Sequence, residues 1–274
     1  MEIKNINWQG SSIQYKATGQ GKLVVLLHGF GENNTVWEQQ TAFLQQHFRL
    51  ILPDIPGSGQ SQFVPNANIE TYAEILKAIL DNELTKISST GEGSEETVSI
   101  VGHSMGGYIT LAFAEKYPQY LNSFGLCHSS AFPDTEEKKE TRRKAIDFIQ
   151  AKGGYAFLKA SIPGLFTKEY LAKQPGKVEA LIEAGKQFTN EALIQYYEAM
   201  IARPDRTAVL KTFNHPILFL IGEHDAAVPL QSSLQQCYLP VQSHVHILDN
   251  SAHMGMWEEA EKTNNVLMQF LLQV

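Results

Sequence analysis

Ser104 stands at the centre of Gly102-His103-Ser104-Met105-Gly106, a G-x-S-x-G run between the apolar stretch Thr97 to Val101 and a helical pattern opening at Met105. A strand-to-helix turn this tight forces its central residue into strain. The flanking positions must be glycine, because a Cβ there would strike the neighbouring chain. Such a turn lifts the hydroxyl clear of the sheet and sets it at a helix N-terminus, where developing negative charge is favoured. The chemistry these features suit is nucleophilic attack. A serine hydroxyl is a weak nucleophile until a base takes its proton and a third group orients that base.

Of the nine histidines, His253 fits the base best, in Asp249-Asn250-Ser251-Ala252-His253-Met254-Gly255 between the last strand pattern and the last helix. The acid is Asp225, in Ile221-Gly222-Glu223-His224-Asp225-Ala226-Ala227-Val228-Pro229. That loop follows the apolar segment Pro216 to Ile221, so Asp225 stands at a strand's C-terminal end, where catalytic groups gather in open α/β sheets. His28 and His103 lie in turns critical to the backbone and read as structural hydrogen-bonding groups. His244 and His246 alternate along a strand and lack a third metal ligand. His47, His128, His215 and His224 belong to no motif and read as structural.

A tetrahedral intermediate needs two N–H donors aimed at its oxygen. The backbone of Met105, after the serine, is one; the backbone of Phe30 is the other, in a loop that Gly29 and Gly31 allow to come close. Phe132, Leu165, Phe166 and Met254 are expected to line a largely apolar substrate pocket. No lysine or arginine adjoins these motifs, so a strongly anionic substrate is not indicated, although Arg142, Arg143 or Arg203 can reach in from the helical region. Asp54 to Ser61 reads as a glycine-permitted turn, since it matches neither the phosphate-loop pattern nor the dinucleotide spacing.

The elements that must position these residues are visible as periodicity. Glu2 to Ala17 alternates and reads as two short strands around Gln9-Gly10-Ser11. Leu23 to Leu27 is an unbroken apolar run, as suits a strand covered on both faces. Phe48 to Leu52, Thr97 to Val101, Phe124 to Cys127 and Pro216 to Ile221 approximate it, and His244 to Leu248 is a more polar version. Helical patterns fall between them at Val36 to Gln46, Ile69 to Leu84, Met105 to Tyr117, Leu230 to Tyr238 and Trp257 to Leu272. Alternating strands and helices predict an α/β fold with a doubly wound, mostly parallel sheet and the opening hairpin at one edge.

From Phe132 to Arg206 the alternation stops, and only helical patterns occur: Thr135 to Ala151, Tyr155 to Ser161, Pro175 to Ala184 and Asn190 to Ile201. The expected organisation is a core of residues 1–131 and 207–274 with an all-helical cap, residues 132–206, over the sheet's C-terminal edge. Ser88 to Glu96 is a polar Gly/Ser/Glu stretch read as surface loop.

The 274 residues are 43% hydrophobic and 19% charged, an ordinary globular composition that excludes disorder. A net charge of −7 argues against a nucleic-acid partner. No stretch approaches the roughly 20 apolar residues that span a bilayer. Met1 to Gly10 lacks the pattern of a secretory signal, and Cys127 and Cys237 form no C-x-x-C pair, so a reducing cytoplasm is the expected location.

Five segments together resemble the α/β-hydrolase superfamily, from near the start to the final helix. They are His28-Gly29-Phe30-Gly31, Asp54-Ile55-Pro56-Gly57-Ser58-Gly59-Gln60-Ser61, Gly102-His103-Ser104-Met105-Gly106-Gly107, Gly222-Glu223-His224-Asp225 with Val228-Pro229, and Ser251-Ala252-His253. The chain order serine, acid, histidine is the one these hydrolases use. The resemblance implies Ser104 as nucleophile, His253 as base then acid, and Asp225 as its orienter, with the helical segment where such proteins carry a variable lid. It implies a serine hydrolase acting on a small or medium, largely apolar carboxylic ester through an acyl-enzyme, a small-molecule substrate, and no metal or organic cofactor. Carbon–carbon bond hydrolysis, peptide hydrolysis, lactone opening, acyl transfer and perhydrolysis use the same scaffold. A ligand receptor with little turnover is the reading from another class. A serine at the nucleophile position argues against the related haloalkane dehalogenases and epoxide hydrolases.

Overall fold

The apolar runs pair with one another in a single sheet. A computed structural model describes residues 1–88 and 97–274. The polar stretch Ser88–Glu96, beyond its first residue, lies outside the described residues. The strands are β1 (Glu2–Trp8), β2 (Ser11–Thr18), β3 (Leu23–Leu27), β4 (Arg49–Pro53), β5 (Val98–His103), β6 (Leu121–Cys127), β7 (Ile217–Gly222) and β8 (Ser243–Leu248). They lie in the order β1-β2-β4-β3-β5-β6-β7-β8. The hairpin β1–β2 is antiparallel and joins β4 antiparallel at one edge; from β4 to β8 every pairing is parallel. Every residue of β3, β5 and β7 is buried, as continuous apolarity demands of strands covered on both faces. The edge strand β8 is only partly buried along most of its length, which accounts for its polar residues.

The chain runs outward from β3 to β4, then crosses to the other side of β3 to lay down β5. The order therefore reverses between β3 and β5, and the crevice beyond their C-terminal ends is where open α/β sheets bind ligands.

The helices are α1 (Glu38–Leu44), α2 (Ile69–Ser88), α3 (Met105–Lys116), α4 (Glu136–Lys152), α5 (Gly154–Ser161), α6 (Lys168–Lys173), α7 (Pro175–Ala184), α8 (Asn190–Ala202), α9 (Thr207–Thr212), α10 (Leu230–Cys237), α11 (Gly255–Glu258) and α12 (Ala260–Gln273). Between β6 and β7 the described chain is entirely helices and loops, from α4 to α9. Thr135, Thr167 and Thr189 cap α4, α6 and α8, each hydroxyl accepting a first-turn N–H; such caps contribute about 1 kcal/mol each. The six-residue α6 and α9 escape a reading of periodicity because fewer than two turns carry no repeat. The expected helix from Trp257 divides into α11 and α12 at Glu259. Its carboxylate turns back to accept from the Asn250 amide and the Ser251 hydroxyl. Among the described residues no helix is long and apolar enough to cross a membrane.

Candidate active site

Ser104 directly follows β5 and caps α3 with φ 51° and ψ −115°, the left-handed side of backbone space that a residue with a Cβ rarely occupies. The neighbours hold it there. Its N–H donates to Cys127 O at 3.0 Å. Its carbonyl accepts from the Ser129 hydroxyl at 2.7 Å and the Gly107 amide at 2.9 Å. The glycines are needed for close approach. A Cβ on Gly102 would stand 2.3 Å from Gly106 O, and one on Gly106 would stand 2.6 Å from His28 O. Gly106→Ala is therefore expected to lower the unfolding free energy by about 2–3 kcal/mol by forcing β3 and α3 apart. Denaturant unfolding checks this; a change under about 0.5 kcal/mol would contradict it.

At the same sheet edge, the loops after β6, β7 and β8 bring His128, Asp225 and His253 together. Asp225 is buried, and its Oδ1 accepts the amides of Ala227 and Val228 at 2.8 Å each. Its Oδ2 faces His253 Nδ1 at 2.8 Å and His128 Nδ1 at 3.2 Å. His128 Nε2 receives the Gly255 N–H at 3.2 Å, so the ring's proton sits on Nδ1 and donates to Asp225. Burial pulls the His128 pKa down to about 4 and keeps it neutral. Burial alone would raise Asp225, but the charge of His253 and the two imidazole hydrogen bonds outweigh it and hold the carboxyl well below its usual range. The ligand atoms of His128, Asp225 and His253 lie within 4.8 Å of one another. A cation among them would have to displace the His128 proton already directed at Asp225.

A second buried network underlies the first. Glu32 Oε2 accepts the Gly29 N–H at 2.7 Å and lies 3.0 Å from His103 Nδ1. His103 Nε2 lies 2.9 Å from His253 O. Both ring nitrogens face oxygens, so both carry protons, and His103 is an imidazolium paired with the Glu32 carboxylate. Burial opposes both charges, yet the pairing prevails, lowering Glu32 and raising His103. The pair ties the loop after β3 to the backbone of the residue that faces Asp225. Glu258 steadies the same segment, accepting the Ala252 amide at 2.8 Å with one carboxylate oxygen and the Thr167 amide at 2.7 Å with the other.

Removing one partner of a buried pair strands the other, so Glu32→Ala is expected to cost about 3–5 kcal/mol of stability. Glu32→Gln costs less, because the amide oxygen can still accept both the Gly29 N–H and the proton on His103 Nδ1. The pH dependence follows from the directions of the two shifts. A lowered Glu32 stabilises fully above its ordinary 4.5, and that support is lost as pH falls through the lowered value; a raised His103 stabilises fully below its ordinary 6.5, and that support is lost as pH rises through the raised value. The stability advantage of wild type over Glu32→Gln should therefore peak between those two values and shrink on either side. A difference independent of pH in denaturant unfolding would contradict the charged pair.

Ser104, His253, Glu32 and Phe30 share one cavity of ≈ 520 Å³. Of the residues named for the pocket, Leu165 lines this cavity; Phe132, Phe166 and Met254 do not. Met254 is fully buried, Phe166 stacks on Tyr170 at 5.2 Å, and the Phe132 carbonyl accepts from Arg203 at 3.1 Å. The Phe30 ring stacks on Tyr197 of α8 at 4.3 Å. The Phe30 and Met105 amides donate to no group among the described residues. Lys138 and Arg142 of α4 also line the cavity, which is less apolar than the motifs alone imply. Arg143 points outward, half exposed, and Arg203 lies over the Tyr108 ring at 3.9 Å.

Two groups went unrecognised in the sequence. His128 directly follows an apolar strand, the same signal that singled out Asp225, and could have been found by it. Glu32 could have been flagged as the one carboxylate between β3 and α1. Of the three arginines named as able to reach in, Arg142 lines the cavity and Arg143 and Arg203 do not.

Comparison with known proteins agrees with this architecture. Residues 24–266 match the alpha/beta hydrolase family, and the chain belongs to it; it is a hydrolase. It is 26% identical over 287 residues to a 2-hydroxy-6-oxononadienedioate/2-hydroxy-6-oxononatrienedioate hydrolase of Paraburkholderia phymatum, covering 95% of this chain and 91% of that one. It is 26% identical to the pimeloyl-[acyl-carrier protein] methyl ester esterase of Vibrio cholerae, covering 94% and 98%. Among solved structures, a thermophilic esterase from Thermogutta terrifontis superposes with a TM-score of 0.88 at 28% identity, covering 100% and 99%.

Proposed function

We propose that this hydrolase cleaves a carboxylic ester of small or medium size through an acyl-enzyme on Ser104. The observation that carries the reading is the 2.8 Å contact from His253 Nδ1 to Asp225, made beside the cavity that His253 shares with Ser104. In the proposed reaction Ser104 Oγ bonds to the ester carbonyl carbon while His253 takes its proton and passes it to the departing alcohol. The Phe30 and Met105 amides receive the oxyanion, an arrangement whose loss typically costs 10²–10³-fold in rate. Water then attacks the acyl carbon, its proton passing through His253 back to Ser104 as the acid leaves. Asp225 fixes the His253 tautomer. Residues 132–206 act as a cap over a core of 1–131 and 207–274, and the location is the cytoplasm.

The test is hydrolysis of p-nitrophenyl esters from acetate to dodecanoate. A clear chain-length optimum is expected, and no turnover across the series would contradict the ester reading. Carbon–carbon bond hydrolysis is the second reading, supported by the name of the Paraburkholderia phymatum relative. It is expected only if vinylogous diketone acids are turned over faster than every ester.

A further inference from the structure

The cavity that holds Ser104 is lined by charged groups with different partners. Glu32 is paired through its Oε2 with His103. From α4 come Lys138, Thr141 and Arg142, residues three and four apart on one helical face. Arg142 is held by its Nε, which donates to Asp134 Oδ2 at 2.6 Å, and its two Nη groups bond to nothing among the described residues. Lys138 Nζ donates to Ala227 O at 2.9 Å and has two further protons. Arg203, close behind, donates to the other oxygen of Asp134 at 2.9 Å.

One buried carboxylate, Asp134, therefore serves two guanidiniums, with Lys138 beside them. Glu137 also lines the cavity but is exposed, and its carboxylate bonds to neither arginine nor to Lys138. The field of these cations is felt next door. Burial alone would raise the Tyr108 phenol, yet Arg203, Lys138 and Arg142 together lower it. A guanidinium held by its Nε on a cavity wall, with both Nη groups left to bond, is preorganised for a planar two-oxygen anion.

We propose that Arg142 and Lys138 form a carboxylate subsite, and that the substrate is an ester bearing a second, ionised carboxylate, such as the half-ester of a dicarboxylic acid. This rests on the ester reading only for the bond that is broken; the subsite stands without it. The cations stand on the wall that α4 contributes, so the substrate has one favoured orientation, with its carboxylate on α4 and its neutral ester toward Ser104.

The test compares the monomethyl esters of succinate, glutarate and adipate with methyl alkanoates of matched length. Turnover is read as methanol release by wild type, and binding by calorimetry on Ser104→Ala. A charge-assisted hydrogen-bonded pair predicts about a 10-fold or greater preference for the best half-ester in both kcat/KM and Kd, weakening as salt is added. Arg142→Met and Lys138→Met are each expected to reduce that preference about 10-fold. Should Arg142→Met fail to fold without its Asp134 contact, Lys138→Met and the binding series decide. Half-esters and alkanoates within threefold of each other in both assays would overturn the subsite, as would a preference that neither variant alters. Binding preference without turnover of any ester would keep the subsite and remove the ester reading.

Discussion

Asp225→Asn is expected to lower kcat about 10⁴-fold while leaving KM within a few-fold. The size of the effect comes from proton placement. Asp225 Oδ1 accepts two amides, from Ala227 and Val228, so an asparagine must put its oxygen there and its NH₂ where Oδ2 stood. That NH₂ would face Nδ1 of His253 and Nδ1 of His128. His253 answers by moving its proton to Nε2, which leaves no lone pair to receive the proton of Ser104. His128 has no such escape, because its Nε2 already accepts from Gly255. Its N–H would be stranded in the interior, adding about 1–3 kcal/mol of destabilisation. Steady-state kinetics and thermal unfolding of the variant check both parts. A variant of normal stability with a loss below 10²-fold would contradict the orienting role.

Ser104→Ala carries the other large effect, a loss of about 10⁴-fold or more in kcat with no comparable loss of stability. What separates a nucleophile from a structural serine here is the backbone. At φ 51° and ψ −115° the residue holds an unfavourable conformation, and its N–H and C=O are bonded whatever the side chain. Strain of this kind costs on the order of 1–3 kcal/mol. Ser104→Gly should therefore be inactive and about 1 kcal/mol more stable than wild type, the gain reduced by glycine's greater freedom when unfolded. A Ser104→Gly protein less stable than wild type would show that the hydroxyl, and not the turn, is what holds the conformation.

The sheet was legible because its signal is local. Five apolar residues from Leu23 to Leu27 can be buried on both faces only as an interior strand, and β3 is such a strand. The proposed Ser104, Asp225 and His253 were legible for a related reason, since each follows a strand pattern and strand ends in a parallel sheet share one edge. His128 satisfies the same rule and could have been singled out by it, but without a motif of its own it reads as structural, and its 3.2 Å distance to Asp225 is what the structure adds. The cavity wall was the least legible part. Leu165 reaches it while Phe166, one residue on, turns away to Tyr170, a choice set by the three-residue-per-turn geometry of Ile162–Leu165 and its end. Lys138 and Arg142 reach the cavity through the packing of α4 against α5 and α8, which no local pattern in the sequence announces.

The most direct test of the central claim is covalent. Wild type is mixed with a p-nitrophenyl alkylphosphonate, whose tetrahedral adduct resembles the proposed intermediate, and the released p-nitrophenolate is counted before the labelled peptide is mapped by mass spectrometry. One equivalent released per chain, with the mass added to Ser104 and no labelling of Ser104→Ala or of His253→Ala on the same timescale, is the predicted result. Ester turnover by a protein that takes up no label at Ser104, or that labels equally well without His253, would contradict it.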